Sequence, residues 1–191
     1  YLGECREFNV PILTPDINTS DVNFTVTESG VRFGLAAIKN VGEAAILSIL
    51  GARVRQSELT SLNRLCEDVD LRLVNKRVLE SLVKSGALDS LASRAGINSI
   101  ALGRACLLET IDQSIEHGHR RQKNRDLGQN ELFGESDAPS DRGHIQLPTA
   151  NPLSESERLA FEKEALGLYL SGHPVDRYGE ALRIAGIKRI E

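Results

Sequence analysis

Two apolar runs, Leu35 to Ile38 and a second that starts at Gly42, meet at the tripeptide Asn40-Val41-Gly42. So short a joint leaves little choice: the chain doubles back as two helices closed by a tight turn. The helical reading extends downstream. Leu62, Leu65 and Val69, then Val74, Val78, Leu79, Leu82 and Val83 beyond a polar turn around Asp70-Leu71-Arg72, recur at helical spacing and close at Gly86, a C-terminal cap. A third helix is expected from Ile97 to about Arg121, with Ile97, Ile100, Ala101, Leu107, Leu108, Ile111 and Ile115 as its apolar stripe. Upstream, Val22, Phe24 and Val26, then Val31, Phe33 and Leu35, alternate around Glu28-Ser29-Gly30, which predicts a β-hairpin. The expected fold is mainly α, a tandem of helical hairpins with a small β-hairpin near the N-terminus.

The rest divides by composition. Residues 1–9 read as the tail of a helix, after which Pro11 and Pro15 force an extended path. Residues 126–153 are rich in Gly, Asp, Ser, Pro and Asn and carry no periodicity, as a linker does. A fresh helix begins at Ser154, with Glu157 completing a capping box, and runs to about Leu170 before Ser171-Gly172-His173-Pro174 stops it. A last helix is expected over 175–185. The domains expected are therefore 1–34, 35–125, 126–153 and 154–191.

Several function classes fall away. No stretch of about 18 apolar residues exists to span a membrane. Three widely spaced cysteines form neither a disulfide framework nor a paired zinc-ligand motif, and a reducing cytoplasm suits them. No Walker loop, G-x-S-x-G, H-E-x-x-H or tight carboxylate cluster is present, so no catalytic residue is assigned. Asp68 and Asp70 read as surface acids beside a helix end. The net charge of -4 gives no global attraction to nucleic acid, and aromatics at 4% argue against stacking on single strands. The absence of Met predicts a piece of a longer chain.

What remains is local. At Lys39-Asn40-Val41-Gly42 the pattern is a helix–hairpin–helix turn, whose second helix offers unpaired N-terminal amides to a phosphate. Lys39 adds charge, Val41 pins the two helices, and Asn40 stands where a first Gly is usual, since Asn tolerates the left-handed region. Contact of this kind reads backbone rather than base edges. The alternative is an αα-hairpin that only packs. Lys76 and Arg77 sit at the start of a stretch that reads equally as a degenerate second unit on the same duplex or as a solvated helix face. Arg120 and Arg121 open the most concentrated basic run, which suits either DNA or the end of its own helix dipole. In the linker, Gln129-Asn130-Glu131-Leu132-Phe133 places two large apolar residues without a core, which marks a docking peptide.

Together these stretches resemble the C-family replicative DNA polymerases of bacteria, the polymerase III alpha (catalytic) subunits. The resemblance lies in Thr14-Pro15-Asp16-Ile17-Asn18, in residues 31–43 and 70–91, in Gln129 to Phe133, and in residues 162–175 ending Ser171-Gly172-His173-Pro174-Val175, all in the family's order. It implies the end of the fingers region followed by the helix–hairpin–helix domain, ahead of an OB-fold. The family's catalytic aspartates and the Mg²⁺ they hold lie upstream, so no cofactor is expected in this piece. It further implies double-stranded DNA as partner of Lys39, Asn40, Val41, Gly42, Lys76, Arg77, Arg120 and Arg121. Gln129, Leu132 and Phe133 would dock the sliding clamp, with other holoenzyme subunits in attendance, for processive replication in the cytoplasm. An error-prone paralogue would be expected to lack so good a clamp peptide. The reading from another class is a noncatalytic helical adaptor that recruits a protein through the linker.

Overall fold

The computed structural model describes residues 2–127, 147–172 and 174–175. After the short helix α1 (Leu2–Glu7), the N-terminal segment builds three strands where two were expected: β1 (Ile12–Leu13), β2 (Thr25–Thr27) and β3 (Gly30–Arg32), in the order β1-β3-β2. β2 and β3 form the antiparallel hairpin, and β1 joins β3 in parallel because Pro11, itself unable to donate, accepts from the Val31 amide at 2.9 Å. That contact explains Gly30 better than the turn does: its φ is +139°, and a Cβ there would lie 2.2 Å from the Pro11 carbonyl oxygen.

The remainder is helical. A single 3-10 turn (Leu35–Ala37) leads into α2 (Glu43–Gln56), α3 (Leu62–Asp68), α4 (Lys76–Ser85), α5 (Asp89–Arg94), α6 (Ile100–Asp126) and α7 (Glu155–Leu166). Three starts follow one rule, a side-chain oxygen meeting a first-turn amide: Ser61 on Arg64, Asn75 on Val78 and Ser99 on Leu102. Ser154 and Glu157 close the expected capping box. Gly86 caps α4 in the left-handed conformation, as its position predicts. α7 stops earlier than expected, at Gly167, also left-handed. The periodicity did not separate α5, a six-residue helix, from the turn before α6.

One core joins both ends of the described chain. Ile17, Phe33 and Leu35 meet Ile46 and Ile49 of α2, Leu65 of α3, Leu79 and Leu82 of α4, Ile111 of α6 and Leu166 of α7. α6 lies closest to α3, where a Cβ on Gly118 would fall 2.5 Å from the Cys66 carbonyl oxygen, so only Gly allows that approach. Gln122 then donates to the Cys66 and Val69 carbonyls, both at 2.9 Å, and ties the C-terminus of α3 to α6. The Thr14–Asn18 stretch is a buckle: Ile17 is fully buried, and the Asn18 amide both donates to and accepts from the backbone of Leu59.

Burial fixes thiol chemistry too. Desolvation, with the Glu67 carboxylate adding repulsion, pushes the Cys66 thiol up to about 12. At pH 8 only about one such thiol in ten thousand is ionised. Cys106 is buried and Cys5 half-buried. With Ellman's reagent, the folded chain is expected to release one thiol equivalent promptly and the other two only in denaturant; three prompt equivalents would contradict this packing.

Candidate nucleic-acid interface

The hairpin turn is built with unequal arms. Its first helix is only the 3-10 turn, because Ile38 is already extended and Asn40 then takes φ +65°. The left-handed residue is thus Asn40, as expected, and its side chain donates to Ser81 Oγ of α4 at 3.2 Å. Val41 is 6% exposed and belongs to the core. Two amides of the turn are used inside the fold: Lys39 donates to the Ala165 carbonyl at 2.8 Å, and Val41 to that of Ile38. Among the described residues, no acceptor reaches the amides of Gly42, Glu43 and Ala44, which are exposed at the positive end of the 14-residue α2.

Gly42 is the informative residue. It is the N-cap of α2, with φ -76° and ψ 159°, a conformation any residue adopts. No atom lies within 4 Å of where its Cβ would be. Neither strain nor internal packing asks for glycine here, and Ser or Asp would cap the helix better. The missing side chain leaves open space over three free amides.

Beside the turn runs a groove of about 400 Å³ lined by Asn40, Lys76, Arg77, Glu80, Ser81, Lys84 and Glu164. It brings the first hairpin turn against the start of α4, so Asn40, Lys76 and Arg77 share one surface. Ser81 was not singled out from sequence, since nothing local marks a buried serine on α4 as the partner of Asn40. Lys39 is exposed and leans over Gly167 at the end of α7. The groove's cations are not all free: Lys76 pairs with Asp112 of α6 at 2.7 Å, and Lys84 with Glu164 of α7 at 2.8 Å. Among the described residues, Arg77 meets no carboxylate.

Arg120 and Arg121 stand elsewhere, roughly two turns beyond Asp112 along α6. Arg120 is exposed, and Arg121 lies 3.8 Å from Glu67. The same stretch of α6 meets the acids of α3 through His117 on Glu67 at 2.8 Å and Arg125 on Asp68 at 3.0 Å. These residues do not line the groove. Gln129, Leu132, Phe133 and His173 lie outside the described residues, as does the helix expected over 175–185 apart from Val175.

Metal chemistry finds no seat among the described residues: no three His, Cys, Asp or Glu converge. Asp68 is engaged by Arg125 and Gln56, and the Arg72 guanidinium holds the Asp70 carboxyl below its ordinary range by hydrogen bonding. These two acids do not fit a magnesium site. No described helix is long and apolar enough to cross a membrane.

The helix-hairpin-helix motif family matches residues 9–97. The DNA polymerase III subunit alpha of Pseudomonas aeruginosa is 37% identical over 202 residues, covering 100% of this chain and 17% of the relative. That of Borreliella burgdorferi is 39% identical over 95% of this chain and 15% of the relative, and that of Thermus aquaticus 39% over 93% and 13%. The chain thus spans 13% to 17% of the length of these relatives.

Proposed function

Because the chain is homologous over nearly its whole length to one segment of the DNA polymerase III alpha subunits, we propose that it is the duplex-gripping, clamp-docking segment of a replicative DNA polymerase. The observation that carries the reading is Gly42: a glycine its own fold does not need, set over unpaired amides. A phosphate oxygen fits there, and Asn40, Lys76 and Arg77 extend the contact along the sugar-phosphate chain. Lys39 adds charge beside the turn, and Val41 holds its shape from within. Arg120 and Arg121 offer a second, weaker patch. Nucleotidyl transfer and its Mg²⁺ belong to the rest of the polymerase; residues here position DNA. The working compartment is the cytoplasm, beside the other holoenzyme subunits.

Binding is expected to be sequence-independent and to weaken steeply with salt, since it neutralises phosphates. Fluorescence anisotropy on two unrelated labelled duplexes, between 50 and 300 mM salt, tests this; salt-insensitive binding, or none, removes the duplex assignment.

The docking half rests on sequence. Leu132 and Phe133 fill a pocket of the sliding clamp while Gln129 bonds at its rim. Holding clamp and duplex at once turns a modest peptide affinity into processivity. Leu132→Ala with Phe133→Ala is expected to weaken clamp binding more than 30-fold, on the scale of lost interface anchors. Unchanged affinity by titration calorimetry would remove the clamp assignment and leave the duplex reading standing.

A further inference from the structure

We infer that Asp112 and Glu164 attenuate duplex binding by occupying the two lysines of the groove, an inference that rests on the duplex reading above. The groove holds three cations, Lys76, Arg77 and Lys84, against two acids of its own wall, Glu80 and Glu164. Each lysine is met by a carboxylate from a different element: Lys76 Nζ by Asp112 Oδ2 at 2.7 Å, Lys84 Nζ by both Glu164 oxygens at 2.8 and 3.0 Å.

The exposures differ in a way that matters. The Lys76 and Asp112 side chains are 55% and 71% exposed, so their bond is a solvated one and is readily exchanged for a stronger anion. Lys84 is 20% exposed, its ammonium also lying 5.0 Å from the Phe161 ring, while Glu164 is 56% exposed. The cation is thus held by the fold and the acid is the movable partner. A phosphate entering the groove replaces Asp112 on Lys76 and swings Glu164 away from Lys84. Each acid is therefore a competitor of DNA, and it keeps a chain that must travel along duplex from gripping too tightly.

The test uses the full chain with a labelled duplex at about 0.1 M salt. Asp112→Asn and Glu164→Gln are each expected to bind roughly threefold tighter, with the slope of log affinity against log salt steepening by about 1 per lysine released. Glu28→Gln, on the turn between β2 and β3, removes the same charge away from the groove and should change neither quantity. Melting curves matching the wild type keep the comparison free of folding effects.

Unaltered affinity in both groove variants, while Gly42→Asp still weakens binding, overturns the inference and spares the duplex reading. Equal tightening by Glu28→Gln overturns it in favour of net charge alone. No salt-sensitive binding by the wild-type chain removes the duplex reading and this inference with it.

Discussion

Replacing Arg104 with Met is expected to destabilise the fold by about 3–5 kcal/mol, the scale for orphaning a buried carboxylate. Arg104 is 2% exposed, yet it is charged and central. Its guanidinium grips both oxygens of Asp89 at 2.8 and 2.9 Å and reaches Glu162, itself 1% exposed, at 3.3 Å. The second Glu162 oxygen accepts the amides of Leu170 at 3.2 Å and Ser171 at 3.0 Å. One side chain thus joins α5 to α7 and to the turn that follows it. Its position in turn requires glycine at residue 86, where a Cβ would fall 2.4 Å from an Arg104 nitrogen. Met would restore volume and leave two facing carboxylates in low dielectric. Against a typical total of 5–15 kcal/mol, the melting temperature should fall by roughly 10 °C.

The variant should also change its response to pH. Burial pushes the Asp89 carboxyl up even in the wild type, with the Arg104 guanidinium pulling the other way. Without the guanidinium, the folded-state pKa of Asp89 rises further above its unfolded value. A raised carboxylate pKa penalises folding above the unfolded value, near pH 4, and increasingly up to the folded one. The stability gap to wild type should therefore narrow as pH falls from 7 toward 4.5. Urea unfolding at both pH values reads it. A loss under 1 kcal/mol at pH 7, or a gap that widens in acid, would show the network to be dispensable.

None of that network is legible in the sequence, and the reason is spacing. Arg104 and Glu162 stand 58 residues apart, and no local pattern distinguishes this arginine from any other on an amphipathic helix. Features that depend on neighbours in the chain read well: the helical stripes of α4 and α6, the Gly86 cap, the Ser154–Glu157 box, and the left-handed Asn40. Features that depend on distant approach did not. The third strand exists because Pro11 meets Val31, and Asn40 is fastened to Ser81, 41 residues further along the chain. For the candidate site the same division holds. The turn was visible as a motif, whereas the groove that unites Asn40 with Lys76 and Arg77, and separates them from Arg120 and Arg121, is a product of packing.

Gly42→Asp should separate binding from folding. The N-cap conformation accepts any residue, and 4 Å of open space surrounds the position, so the substitution meets no obstacle. An Asp there can accept from the free first-turn amides, which stabilises a helix by a few tenths of a kcal/mol relative to Gly. Those are the same amides proposed to meet a phosphate, now satisfied internally and screened by a negative charge. Duplex affinity is expected to fall at least tenfold, about 1.4 kcal/mol, while the melting temperature holds or rises. Gly42→Ala divides the effect: it adds a methyl group without charge or cap, so any loss it shows measures closeness of approach alone. Glu43 sharpens the logic. An acid in the first turn already suits the helix dipole, so a fold concerned only with its own stability would gain from a capping side chain at residue 42 as well. Anisotropy titrations on all three chains, each matched by a thermal melt, decide the point. If the Asp variant binds duplex as the wild type does, the hairpin serves packing alone, and the open space over Gly42 has no ligand.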